Sequence, residues 1–362
     1  MNTEHGWKRL ARLLRAEWQH LVAVQASNRR WQLPLAAALA TGLPLLIGAC
    51  IGHLEQGLVA SMGALVLLHT PDTPMHHRMA SLMACSFMMT ASYALGVASH
   101  FLPGLTVVVL ATAATLITML GRIYALGPPG SLFFVMAAAI GAYTPAQAAE
   151  VPLLVGLMFL GTLQACLIAF GYSLWMLRLR AAEPARPLPR PTFDFVVLDP
   201  VVIGVFVGLS LALAQALQLE RPYWVPVSCL AVIQGASLRA VWNRQLHRVL
   251  GTCAGLLLSW LLLLWPMDPW RFVPTMMVLT FIVEMVVVRH YGFAVIFITP
   301  LTLLLAEAAT TGRASAVDLM QARLLDTVLG CLMGLLGGLC LHHAGFRQVA
   351  GRLLRRLVPV RP

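Results

Sequence analysis

The chain has 362 residues, of which 59% are hydrophobic and only 11% charged, with a formal net charge of +11. Soluble proteins carry about 25% charged residues, so a water-soluble globular body is excluded, and the length suits roughly ten to twelve apolar spans of about 20 residues each. The positive charge does not point to nucleic acid, because the basic residues fall at the ends of apolar runs, where they meet lipid headgroups.

Residues 1–31 are basic and amphipathic. Trp7, Leu10, Leu14, Trp18 and Leu21 recur at helical spacing, as in a helix lying on an anionic membrane surface. The basic region is too long for a cleavable signal, and no A-x-A site precedes a short apolar core. A first membrane half (32–177) follows, with apolar spans at 33–51, 56–70, 79–99, 103–121, 127–144 and 151–177. A Pro/Arg-rich linker occupies 178–198. A second half (199–343) has spans at 199–217, 223–239, 249–266, 270–288, 291–308 and 321–343, and a basic tail covers 344–362. Several spans are short or hold Pro and Gly, so two of them could be re-entrant. The expected fold is all-α and polytopic, with about twelve transmembrane helices in two six-helix repeat halves.

With the N-terminus placed in the cytoplasm, all but Arg221, Arg271, Arg313 and Arg323 of the 25 Lys and Arg fall on that side. This bias puts both termini inside. The seven cysteines lie within apolar runs without C-x-x-C spacing, so they read as small apolar residues rather than disulfides or metal ligands.

Three anchors suggest the repeat. His77-Arg78 matches His247-Arg248, Arg122-Ile123-Tyr124 matches Arg289-His290-Tyr291, and Gly161-Thr162 matches Asp326-Thr327, at near-equal intervals. Within the second half, R-x-x-G-T-x-x-G at 248–255 resembles R-x-x-D-T-x-x-G at 323–330, and these begin on opposite membrane faces, as in an inverted repeat. In this reading Tyr223 opens a span ending at Arg239. A short basic connection with Arg244, His247 and Arg248 follows, which places Arg248 at the membrane surface.

Tyr223-Trp224, the Arg239–Arg248 basic turn, R-V-L-G-T-C-A-G at 248–255 and R-L-L-D-T-V-L-G at 323–330 resemble the fusaric acid resistance protein-like (FUSC) and aromatic acid exporter family. N-R-R-W-Q-L-P at 28–34, P-D-T-P-M-H-H-R at 71–78 and G-P-P-G-S-L-F-F at 127–134 are similar to its short members. The resemblance covers about 28–343. It implies a bacterial inner-membrane exporter of aromatic carboxylic acids, distantly similar to plant malate channels, in a short form without the cytoplasmic domain that larger members insert between the halves.

An amphiphilic organic anion needs a cation or dipole for its carboxylate and an apolar surface for its ring. Arg248, Arg289 and Arg323 serve the first need, with Thr252 and Thr327 as hydroxyl donors. Tyr223, Trp224, Tyr291 and Phe293 serve the second. Plain positive-inside anchoring is the competing reading for Arg248 and Arg289. Arg323 and Asp326, three residues apart, share a helical face and are expected to pair, either structurally or as a proton-coupling device. Glu284 and Glu307 are the other acids available for proton coupling. Gly251 and Gly255, and likewise Gly330 and Gly334, are four apart and suit close helix packing.

His69, Asp72, His76 and His77 fall within nine residues, but Pro71 and Pro74 favour a polar loop over a metal site. No motif couples the chain to ATP, and no cofactor, metal or catalytic residue is expected. The function expected is organic-acid export driven by the proton or electrochemical gradient. The alternatives are a passive anion channel, or a non-transporting membrane enzyme or envelope scaffold. The partners expected are a small organic anion and anionic lipids, together with a homodimeric copy or a periplasmic adaptor.

Overall fold

The computed structural model describes residues 21–27, 29–185, 187–188, 191–265, 267–310 and 316–357, without the side chains of 306–316 and 357. Most of the basic N-terminal segment and the end of the tail fall outside these residues. Thirteen α-helices run in order, and the protein is an all-α polytopic membrane protein. The first six are α1 (Gln32–Ile51), α2 (Leu54–Gly63, extended by a 3-10 turn to His69), α3 (Met75–His100), α4 (Thr106–Ile123), α5 (Leu132–Ala142) and α6 (Val151–Leu179). The next six are α7 (Asp199–Ala216), α8 (Trp224–Ile233), α9 (Leu238–Leu263), α10 (Pro269–Val286), α11 (Tyr291–Thr310) and α12 (Ala316–His342), and α13 (Ala344–Leu357) follows.

Among the described residues, eight helices are long and apolar enough to cross a membrane, not twelve: α1, α3, α4, α6, α7, α9, α10 and α12. The remaining four predicted spans are shorter over their described residues: Leu54–His69, Leu132–Ala142, Trp224–Ile233 and Tyr291–Leu305. Burial explains the difference. Across these four stretches only Glu55 and Phe293 are exposed, whereas the long helices present large apolar side chains such as Phe87, Leu167 and Leu257 outward. A helix in contact with lipid must satisfy its backbone over the whole hydrocarbon thickness. An inner helix can end early against protein or a wet cavity. Hydropathy reads both kinds as apolar and cannot separate them.

The order long, short, long, long, short, long therefore runs twice. Packing follows the same order: α3 lies on α5 and α6 as α9 lies on α11 and α12, and α2 lies on α6 as α8 lies on α12. Across the middle, α4 packs on α7 and α10 packs on α1.

Two boundaries depart from the sequence reading. The break expected at 240–248 lies earlier, at Gln234–Ser237. There Ser237 caps α9 by accepting a hydrogen bond from the Ala240 N–H, and Gly235 sits so close to α9 that a Cβ would lie 2.6 Å from the Val241 nitrogen. Arg244, His247 and Arg248 are thus inside helix α9 rather than in a connection. The irregular linker is shorter than 178–198, since α6 continues to Leu179 and a helical turn resumes at Asp194. The tail begins as α13, tied to the start of α7 by Arg347–Asp199 at 2.7 Å, Arg347–Asp194 at 3.2 Å and Arg355–Asp194 at 3.2 Å.

Candidate functional site

A cavity of about 1820 Å³ lies between the two sets of six helices, with all four short helices in its wall. It follows α5 from Leu132 to Ile140 and on to Tyr143, and α8 from Trp224 to Ala231 and on to Gln234. The first-half wall is largely apolar, with Leu65, Phe133 and Met136, and the second-half wall carries most of the cations.

Arg248 is buried on the third turn of α9 and does not sit at the membrane surface. Its guanidinium donates to the Tyr291 hydroxyl at 3.0 Å and to Ser228 Oγ at 3.1 Å, while its Nε has no partner. Two short helices therefore hold it, since Ser228 is on α8 and Tyr291 opens α11. Arg323 is also buried, with its guanidinium carbon 4.2 Å from the centre of the Trp224 ring. Such a cation over an indole face is worth about 0.5–2 kcal/mol. Its Nε and Nη1 make no hydrogen bond. Among the described residues neither arginine forms an ion pair with a carboxylate, and the two cations repel each other through the same space.

The expected Arg323–Asp326 ion pair is not formed. Three residues of helix bring the two side chains to one face, but the arginine turns to Trp224, and Asp326 Oδ2 is left buried without a partner. Both residues border a small pocket of about 10 Å³ with Arg221 and Thr302, about the space one water needs.

The structure brings Tyr223, Trp224, Arg248, Arg289, Tyr291 and Arg323 to the one cavity, with Glu284. Thr252, Thr327 and Phe293 are not part of its wall. Thr252 is buried, Thr327 donates to its own helix at the Arg323 carbonyl (2.8 Å), and Phe293 faces outward. Glu284 is held by Arg29 at 2.7 Å, and the Glu307 side chain lies outside the described residues. Gly251 and Gly255 face α11, where added Cβ atoms would come within 2.7 Å of the Gly292 oxygen and 2.6 Å of Thr299 Cβ. Gly330 and Gly334 lie against α8, at Ser228 and at the Cys229 oxygen. Of the histidine-rich stretch, His69 turns inward onto Phe134 and the Gly130 carbonyl, while Asp72 lies beside Arg78.

Sequence reasoning missed Ser228, although its place four residues after Trp224 puts both on one face of α8. It also missed Arg29 at the Glu284 carboxylate. No local spacing could announce a contact between residues so far apart in the chain.

The charged half of this site coincides with a known family. Residues 203–337 match the fusaric acid resistance protein-like family. The fusaric acid resistance protein-like region begins within α7 and ends within α12, so it contains Trp224, Ser228, Arg248, Tyr291, Arg323 and Asp326. The chain is also similar to the uncharacterized membrane protein YvaC of Bacillus subtilis (strain 168), with 30% identity over 185 residues. That alignment takes in 49% of this chain and spans 29% of the length of YvaC. No solved structure matches the chain.

Proposed function

We propose that the chain is a transporter, not an enzyme, that exports aromatic or related organic acids across the bacterial inner membrane. The observation that carries this reading is the pair of buried arginines, Arg248 and Arg323, facing a cavity without a carboxylate partner. An intramembrane cation costs about 2.5–3.5 kcal/mol on insertion scales, and a bound anion offsets that cost. Arg248 is fixed by two hydroxyls, so its charge is oriented before the ligand arrives. Trp224, Tyr223 and the apolar first-half wall suit an aromatic ring beside the carboxylate. The fusaric acid resistance protein-like match over 203–337 supports the same class.

Asp326, with a buried oxygen that has no partner beside Arg323, is the proton-coupling candidate this reading prefers over Glu284 and Glu307. The twice-repeated order of helix lengths and the matching packing support two six-helix repeat halves, eight outer and four inner helices making twelve in all. Both termini are cytoplasmic in this reading, from the placement of the arginines. Anionic lipids at the basic ends, a second copy of the chain and a periplasmic adaptor are its further partners. A passive anion channel is the second reading, favoured by the reach of the cavity along the full length of α5 and α8.

The test is uptake of labelled benzoate into proteoliposomes of the purified chain. A carrier gives saturable flux that responds to an imposed proton gradient, and a channel gives flux that follows voltage without saturating. Folded Arg248→Gln and Arg323→Gln variants that carry benzoate as the parent does would sink the anion-site reading.

A further inference from the structure

Residues 21–29 lie across the end of the cavity where α9 begins and α10 ends, and Ala23, Gln25 and Arg29 are part of its lining. Three sets of contacts hold them there. The Leu21 carbonyl accepts hydrogen bonds from His247 Nε2 at 2.9 Å and His290 Nε2 at 2.7 Å, with the two rings 4.8 Å apart. The Gln25 N–H donates to the Arg289 carbonyl at 2.8 Å. Arg29 Nη1 donates to Glu284 Oε2 at 2.7 Å, and both side chains are mostly buried. The contacts reach α9, α10 and the turn between α10 and α11, so this stretch bridges elements that frame the basic end of the cavity.

The Arg29–Glu284 pair is where an anion has purchase on this arrangement. Arg248 and Arg323, deeper in the cavity, have no carboxylate partner, whereas Arg29 already holds one, and both members of the pair line the cavity. An incoming carboxylate has the same charge and shape as the Glu284 side chain, so it competes for the same guanidinium through the same charge-assisted hydrogen bonds. Once Arg29 is taken, only the histidine and Gln25 hydrogen bonds tie residues 21–29 to the bundle. A ligand shifts such an equilibrium by its differential affinity for the two states, and this ligand binds only where Glu284 has let go.

We propose that residues 21–29 are a cover over the basic end of the cavity, and that Arg29 is the first anion-binding residue of the path, exchanging Glu284 for the carboxylate of the substrate and so releasing the cover. This rests on the reading of the cavity as an anion path. It adds a binding residue outside the region matched by the family, on a segment that no spacing in the sequence connects to the site.

Hydrogen exchange measured by mass spectrometry on the full chain, with benzoate as the probe, tests it. The reporter is the peptide containing Gln25, whose N–H is bonded to Arg289 in the covered state. Benzoate is expected to speed exchange of that peptide at least tenfold. Glu284→Gln is expected to speed it without benzoate, and the charge-swapped Arg29→Glu, Glu284→Arg chain to slow it again. Should the swapped chain not fold, Arg29→Gln replaces it and is expected to match Glu284→Gln. Benzoate binding is followed in parallel by tryptophan fluorescence. Binding without any change in exchange at 21–29 overturns the cover and leaves the anion path standing. Absence of binding to a folded chain overturns the anion path and the cover with it. Unchanged exchange in Glu284→Gln overturns the role of the ion pair.

Discussion

Where the second half carries Arg323, the corresponding position of the first half, four residues before Thr162, holds Met158, which is fully buried. Arg78 stands opposite Arg248 in the repeat and is also buried, but its guanidinium turns back on its own segment. It donates to the Thr73 carbonyl and lies 3.8 Å from Asp72, away from the cavity wall. Tyr124, the counterpart of Tyr291, is 64% exposed. The two halves thus share an order of helices and a set of packing partners while presenting different chemistry to the space between them. Helix packing is specified by small residues and apolar faces, which each half supplies for itself. An anion site needs its cations together, and the second half supplies both buried ones.

The largest expected effect separates the halves most sharply. Arg248→Gln and Arg323→Gln should each lower benzoate affinity by about 10- to 100-fold, the range for losing one charge-assisted hydrogen bond of about 1.5–3 kcal/mol. Arg78→Gln, which removes an equally buried charge from the first half, should lower folded yield and leave transport per folded molecule within about twofold. Equal transport losses from Arg78 and Arg248 variants would break the distinction. Proteoliposome uptake normalised to folded protein reads both quantities.

Glycines should make the halves behave alike. A Cβ on Gly251 would lie 2.7 Å from the Gly292 oxygen, and one on Gly161 would collide with the Ala60 carbonyl. Gly251→Leu and Gly161→Leu should both lower thermal stability, by about 1–3 kcal/mol or more for overpacking a close contact. Transport per folded molecule should survive. A Gly251 variant of normal stability that no longer transports would instead put that glycine on the anion path.

These contrasts also mark what was legible in the sequence. Apolar runs, their order and the three repeat anchors could be read because each is a local pattern. The residues facing the ligand could be read where type and position coincide, as with Trp224, Arg248 and Arg323. The short inner helices could not, since a ten-residue buried helix such as α8 and a lipid-facing span look equally apolar. The break before α9 was misplaced because the basic run 239–248 looks like a surface turn, although Ser237 and Gly235 mark the real one. Arg323 and Asp326 were expected to pair because spacing gives the face of a helix but not the rotamer, and Trp224 captures the guanidinium.

A smaller effect is expected where the aromatic ring meets the cation. Trp224→Leu removes the indole face 4.2 Å from Arg323, a loss of about 0.5–2 kcal/mol. Benzoate affinity should fall about 2- to 30-fold, and Trp224→Phe should recover part of it. Titration of binding by calorimetry separates the two variants. If Leu and Phe serve equally well, the ring is packing and the stack on Arg323 does not orient the site.

The smallest effect compares the paired tyrosines. Tyr291→Phe removes the hydroxyl that accepts from Arg248 at 3.0 Å, while Tyr124→Phe removes one that is exposed to solvent. Two consequences oppose each other at Tyr291. The guanidinium gains an N–H for the anion, but it loses one of the two hydroxyls that fix its direction, and Ser228 alone then holds it. Orientation should win, because a buried N–H left without a partner costs about 1–3 kcal/mol in the unliganded protein only, and binding then requires the arginine to be ordered by the ligand itself. The two terms largely cancel, leaving benzoate affinity about two- to fivefold lower, with a slower approach to binding equilibrium. Tyr124→Phe should change neither quantity. Stopped-flow fluorescence gives the rate, and equilibrium titration gives the affinity. An increase in affinity in Tyr291→Phe would mean that the tyrosine competes with the anion for Arg248 instead of presenting it. The second half would then hold its arginine as the first half holds Arg78, turned to protein until something displaces it.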